Sequence, residues 1–342
     1  MMGRRNVYRF LIRTLLAAII LIILVIVGFF LILLSGRNKL YGGQKGRTPN
    51  LSQGIAKESG DIDVCYQGGI YRYNEDILTF LFLGIDYDEE LEVREEGIEG
   101  GQSDTIFLLV LNPHSEEISV IAINRNTMTD IDVYNKYGGY IATVQGQITL
   151  QHGYGDGAQI SCERSRKAIA KLFYDLPIHG YCSINMGAIP YLNNMVGGVE
   201  VTVLEDVGDL KEGVNALLWG KDAYYYLRYR DVDSFGSADR RLERQKQYLL
   251  AYAATAGKAM KEDITLPIKL YNTLRKYMVT DITVDEMSYL AACITDYNID
   301  SQTLYTLQGE TVMGEGFEEF YVDEEALYKL ILEIFYEEVI DL

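Results

Sequence analysis

Histidine and cysteine, the side chains of soft metal centres and of many nucleophilic enzymes, are scarce in this chain. Its 342 residues include three histidines, His114, His152 and His179, and four cysteines, Cys65, Cys162, Cys182 and Cys293. The histidines have no metal-ligand spacing, and no CxxC or Cys/His pattern appears, so no zinc-type motif is present. His152 lies in the turn-rich stretch QHGYGDG and reads as structural. The thiols read as buried and unpaired, the alternative being one or two disulfides if the domain lies outside the cell. Cys162 opens an expected helix and Cys182 lies on the strand returning from its far end, too distant to bridge. A P-loop, a G-x-S-x-G elbow and a dinucleotide fingerprint are also absent, as are internal repeats and low-complexity tracts.

Acid is absent from the first 47 residues, and base is sparse in the rest. Eight of the 31 basic side chains lie in residues 1–47, leaving 23 against 49 acidic ones, a net charge of −26. Such a surface repels nucleic acid and anionic lipid, so nucleic acid is not an expected partner. An anionic ligand requires a local exception made by arginines, a metal ion, or both.

One long apolar run is present. Leu15 to Leu34 carries no charge. About 20 helical residues span a bilayer's hydrocarbon core. The run exceeds the apolar region of a signal peptide and lacks a good cleavage site after it, so it reads as an uncleaved anchor. Basic residues flank it on both sides, which weakens the positive-inside signal. The short tail 1–14 places the N-terminus inside, with the large domain on the outer face of a single-pass cell-membrane protein of Gram-positive type.

Residues 35–76 read as a stalk, rich in Gly, Lys, Gln and Ser. Strands are expected at 77–85, 104–112 and 117–124, and their apolarity on both faces requires a sheet covered by helices. A helix follows at 162–176, capped by Ser161, then a strand at 181–185, a helix at 186–196 and a strand at 199–204. Further helices are expected at 221–229, 239–260, 264–279, 283–296 and 323–339. The alternation gives one α/β domain over 77–342, an α-β-α sandwich around a central mixed sheet.

Asp86 follows the first apolar strand and Asp104 precedes the next. An antiparallel pairing brings both carboxylates to one sheet edge, where they suit a hard cation such as Mg²⁺. The alternative is a pair of turn or cap residues. Arg125 ends the third strand, at the same edge if that strand runs parallel to the first. Otherwise it is simply solvated.

The stretch YLRYRDVDSFGSADRRLERQKQ, 226–247, holds Arg228, Arg230, Arg240, Arg241 and Arg244. On a helix Arg241 and Arg244 are i, i+3 neighbours, with Gln245 beside them. Leu242, Leu249, Ala253, Ala256 and Met260 form the apolar stripe. Arginine's planar fork grips carboxylate and phosphate oxygens. The cluster is either an anion site or a basic face paired with Asp231, Asp233, Asp239 and Glu243. The run AYYYL reads as core packing or as a sugar or lipid groove.

Taken in order, LGID, SDT, R-x-T, GGVEV, YLRYR and RLERQ, from about Ile77 to Tyr252, resemble the LytR–CpsA–Psr family of bacterial cell-envelope enzymes. An anchor just upstream fits as well. The resemblance implies an enzyme that moves a phosphoglycosyl polymer, teichoic-acid-like or capsular, from a polyprenyl pyrophosphate carrier onto peptidoglycan; the alternatives are a non-catalytic envelope-binding or regulatory protein that retains the lipid groove, and a polyprenyl-pyrophosphate hydrolase. It implies Asp86 and Asp104 as Mg²⁺ ligands, and Arg125, Arg228, Arg230 and Arg241 around the pyrophosphate, with Arg244 or Gln245 assisting. An apolar groove would take the isoprenoid tail. Three positions depart from the family pattern. P-R-D-T reads Asn124-Arg125-Asn126-Thr127, and the usual Arg before SDT is Gln102.

Overall fold

The computed structural model describes residues 27–51, 57–58, 63–94, 99–231, 233–263, 265–293, 297 and 303–339. Helix α1 (27–44) leads to strands β1 (Lys57–Glu58), β2 (Asp63–Tyr66), β3 (Gly69–Tyr73), β4 (Leu78–Ile85), β5 (Ser103–Asn112) and β6 (Glu117–Ala122). Next come β7 (Met128–Tyr134), β8 (Tyr140–Gln147), α2 (Leu150–Gly153), α3 (Gln159–Leu172), β9 (Gly180–Asn185) and α4 (Ile189–Met195). The chain continues through β10 (Val199–Thr202), β11 (Asn215–Leu218), α5 (Lys221–Arg228), α6 (Ser237–Glu262), α7 (Leu266–Leu274), β12 (Met278–Thr280) and α8 (Val284–Cys293). It closes with β13 (Leu304–Thr306), β14 (Gly309–Met313), β15 (Glu318–Val322), α9 (Glu324–Phe335) and β16 (Tyr336–Glu338).

The central six-stranded sheet runs β12-β9-β4-β5-β6-β13. It is mixed. β4 pairs antiparallel with β5 and parallel with β9, β5 pairs antiparallel with β6, and β13 lies parallel to β6. Alternate side chains explain why these strands are apolar throughout. Leu81, Leu83, Ile106 and Leu108 join one core with Ile169 and Phe173 around α3 and Ile331 and Phe335 of α9. Phe107, Val120 and Ala122 instead meet Leu242 of α6, while Ile184 packs with Tyr226 of α5 and Leu270 of α7. Each such buried side chain contributes about 1.5–3 kcal/mol, so a polar residue at either phase is costly.

Several expectations are corrected. The segment 35–76 is not a bare stalk: β2 and β3 pair with each other, and β3 pairs with β16 at the far end of the chain. Tyr66 and Tyr73 are buried in the main core. The helix expected over 264–279 stops at Leu274, because Met278–Thr280 extends the sheet against β9. The one expected over 323–339 stops at Phe335, because Tyr336–Glu338 pairs with β3. All four cysteines are free. Cys162 hydrogen-bonds Ser183 Oγ at 3.2 Å, so it sits close to β9 rather than far from it. Cys182, the neighbour of Ser183, points to the other sheet face, and the pleat keeps the thiols apart.

The apolar run Leu15–Leu34 lies largely outside the described residues. Its last part opens α1, where Phe29, Phe30 and Leu31 are exposed. No described helix is long and apolar enough to cross a membrane. Beyond the run, α1 docks on the start of α8. Ser35 Oγ donates to Asp285 at 2.6 Å, Lys39 lies 2.9 Å from it, and a Cβ on Gly36 would fall 2.1 Å from the Asp285 carbonyl oxygen.

Candidate active site

The β4–β5 hairpin builds the acidic edge. The Asp86 N–H donates to the Gln102 carbonyl at 3.1 Å, and the Gln102 N–H returns a bond to Asp86 Oδ1 at 2.8 Å. Gly84 pairs with Thr105 and Ile85 with Ser103, so Asp104 is the extra residue of a β-bulge. Bulges re-aim side chains next to functional sites. Asp104 is buried, and its charge together with burial holds the Asp86 carboxyl above the ordinary carboxylate range. Burial is the larger cause.

Both oxygens of Asp104 are gripped. Arg125 donates to Oδ1, and Arg241 Nη1 donates to Oδ2 at 2.7 Å. Arg125 emerges after β6, which runs parallel to β4, and Arg241 comes from the first turns of α6. Arg125 also donates to Gln102 Oε1. At 102 a glutamine therefore does what a basic residue cannot: it accepts from the guanidinium. Burial lowers the pKa of both arginines, opposed by Asp104 and reinforced by the charge of Arg230. Arg230 donates through Nε to Ser237 Oγ at 2.9 Å and through Nη2 to Glu318 at 3.3 Å.

Three buried polar atoms here have no protein partner: Arg125 Nε, Arg241 Nη2 and Gln245 Oε1. Buried polar groups are normally satisfied, so such orphans call for an explanation. Two of them are guanidinium donors, complementary to anionic oxygens. Arg241 and Gln245 share one face of α6 at i, i+4 spacing. Gln245 also lines an apolar cavity of about 260 Å³ between the sheet and helices α4–α6, with Phe82, Phe107, Ile189, Leu227 and Leu249. Gly84 and Thr105 also line it, and Thr105 is the next residue after Asp104.

Two expected site residues lie elsewhere. Arg244 is fully buried, but it donates to the carbonyls of Tyr226, at 2.8 Å, and Tyr229, and it pairs with Glu205. It satisfies the open carbonyls at the end of α5 rather than an anion, and burial pushes its pKa down to about 10. Arg228 stays at the surface, 3.1 Å from Asp88 and bonded to the Tyr224 hydroxyl. Glu318 was not legible in the sequence. It opens β15 in an acidic stretch with no motif, yet it is buried and accepts from Arg230, from the Gly236 N–H at 2.7 Å and from Asn126 Nδ2 at 3.3 Å. Asn124 donates to Asp239 at 2.5 Å. The two asparagines that depart from the family pattern are thus brackets between the β6 end, α6 and β15. His152 is buried as expected, its Nδ1 3.2 Å from the Gly101 carbonyl.

A model of the LytR_cpsA_psr family matches residues 49–333. The chain belongs to that family. As a member, it is 26% identical over 302 residues to an Enterococcus faecalis protein named polyisoprenyl-teichoic acid–peptidoglycan teichoic acid transferase TagU, covering 83% of this chain and 88% of that one. A protein of the same name from Halalkalibacterium halodurans is 28% identical over 246 residues, 71% of each chain. The crystal structure of B. subtilis TagV shares the fold, with a TM-score of 0.57 at 20% identity over 76% of this chain and 96% of that one. Membership fits the chain order in which the site assembles: hairpin carboxylates first, then the β6 arginine, then the α5–α6 arginines.

Proposed function

We propose that this chain is a membrane-anchored transferase that moves a teichoic-acid-like or capsular phosphoglycosyl polymer from a polyprenyl pyrophosphate onto peptidoglycan. One observation carries the reading: Arg241 leaves a buried guanidinium nitrogen without a protein partner, and Gln245, one turn further along α6, lines an apolar cavity. A pyrophosphate bound to a long hydrocarbon matches both halves. The named activity of the relatives supports the polymer and the acceptor. Residues 15–34 would hold the protein in the bilayer with its N-terminus inside and the domain on the outer face.

Asp86 and Asp104 would hold Mg²⁺. Their fit rests on two hard carboxylates at one edge, one of which, Asp86, has its charged form disfavoured until a cation arrives. The ion would supply charge neutralisation on the phosphate oxygens. The chain's own side chains do the rest. Arg125 and Arg241, freed in part from Asp104, donate to the pyrophosphate, and Arg230 adds charge from its Glu318 mooring. Gln245 sits where headgroup meets tail. Burial of Arg241 and Asp104 keeps water from these bonds and strengthens them. An acceptor hydroxyl attacks the sugar-bearing phosphorus and gives up its proton to solvent, the bridging P–O bond breaks, and lipid monophosphate departs with the electron pair. Such a transfer depends on positioning and charge stabilisation, which arginine forks provide.

The cluster opposes three guanidiniums, Arg125, Arg230 and Arg241, with three carboxylates, Asp86, Asp104 and Glu318. Cation and pyrophosphate should therefore bind more tightly together than apart, each neutralising what the other adds. The test is to titrate the full-length protein with a polyprenyl pyrophosphate with and without Mg²⁺, and to measure release of lipid monophosphate and polymer transfer to peptidoglycan. We expect both products and at least fivefold tighter lipid binding with Mg²⁺. Release without transfer would make water the acceptor. Absence of release would remove the enzymatic reading.

A further inference from the structure

Helix α5 has two differently used faces. Ala223, Tyr226 and Leu227 are buried, and Leu227 walls the apolar cavity. On its other side Tyr224, Tyr225 and Arg228, with Asp222 and Tyr229, line an open groove of about 830 Å³ against the 207–210 loop, which contributes Asp209. That volume falls within the range of about 300–1,000 Å³ of small-ligand pockets. The AYYYL run is thus split: its last tyrosine is core, and the two before it face the groove.

The lining selects its occupant by chemistry. Tyr225 is 55% exposed and stands edge-on to Tyr224 with ring centroids 5.4 Å apart. Aromatic faces beside a groove stack on the C–H faces of sugar rings. Asp209 and Asp222, exposed beside them, accept from sugar hydroxyls. The cation on this wall, Arg228, already faces Asp88. The groove therefore disfavours the anionic polymer and suits an uncharged glycan. Tyr224 links its wall to the candidate centre. Tyr224 Oη donates to Asp88 at 2.7 Å, and Asp88 is two residues beyond Asp86, at most about 7 Å along the chain. Gly187 pins that turn: a Cβ there would fall 1.8 Å from the Asp88 carbonyl oxygen.

We propose that this groove binds the acceptor, an N-acetylhexosamine glycan strand, on the side of α5 opposite the lipid cavity. The proposal deepens the transferase reading and rests on it. Donor tail and acceptor glycan are then separated by one helix, and both lead to the Asp86–Asp104 edge.

The experiment uses full-length protein in detergent and two probes: a β-1,4-linked N-acetylhexosamine tetrasaccharide and a polyprenyl pyrophosphate. The variant is Tyr225→Ala combined with Asp209→Asn, both exposed positions outside the core and the arginine cluster. Wild type should bind the tetrasaccharide, and the variant should bind it at least tenfold more weakly, with lipid affinity within twofold of wild type. In turnover, the KM for acceptor should rise and the rate of lipid-monophosphate release into water should stay unchanged. No tetrasaccharide binding by wild type, equal binding by the variant, or a matching loss of lipid affinity would overturn the proposal. Selective loss of glycan binding in a protein that never transfers polymer would sustain the groove and refute the transferase reading instead.

Discussion

At the residue scale, two arginines three positions apart on α6 do opposite work. Arg241 reaches Asp104 with one nitrogen and leaves another buried and unpartnered, whereas Arg244 donates to two carbonyls and pairs with a glutamate. Arg241→Lys keeps the charge but loses the fork, so lipid-pyrophosphate turnover should fall at least tenfold with little change in melting temperature. Arg244→Ala should destabilise the fold by about 3 kcal/mol, because buried carbonyls and Glu205 lose their partner. Chemical denaturation beside a turnover assay separates the two. Equal stability losses would remove the distinction. Glu318→Gln keeps the size and acceptor oxygen of Glu318 but removes the charge facing Arg230. Turnover should fall severalfold. A change in stability alone would leave Glu318 a purely structural bracket.

At the scale of elements, the bulge in the β4–β5 hairpin and the docking of α1 carry the most consequence. Strand identities were legible because both faces are buried and the runs are uniformly apolar. The same uniformity hid the bulge, since no alternation marks the slipped residue. The arginine spacing on α6 was legible, but the backbone carbonyls awaiting Arg244 were not. Late strands β12 and β16 look helical locally and are extended only because β9 and β3 offer open edges. For α1, close approach at Gly36 permits the Asp285 contacts. Gly36→Val should undock the helix. Hydrogen exchange over 37–44 should quicken several-fold while the central sheet stays protected. Unchanged exchange would show that the contact does not hold the helix.

At the scale of the whole molecule, pH acts on two histidines, the buried His152 and the half-buried His179. Burial pushes His152 and His179 down to about 4 from an ordinary 6.5. Each folds neutral, so its contribution is fully present above pH 6.5 and is lost as pH falls towards 4, where the unfolded chain takes up the proton first. His152 alone accounts for up to about 3 kcal/mol on this scale. Thermal melts from pH 7 to 4 should show falling stability, with a shallower slope in His152→Asn. Asp86 acts in the opposite sense: its raised pKa favours the folded state as pH falls, and this partly offsets the histidines. Activity should decline on the acid side at a higher pH than an ordinary aspartate predicts. The sequence by itself determined the α/β class, the antiparallel carboxylate pair, the arginine-rich helix start and the family, because apolar runs and ordered short motifs are local. Only the tertiary structure decided which arginines face Asp104, which one clamps α5, that Glu318 enters from β15, and that one helix parts an apolar cavity from a tyrosine groove. Those facts depend on contacts between residues far apart in the chain, and no local pattern encodes which distant groups will meet.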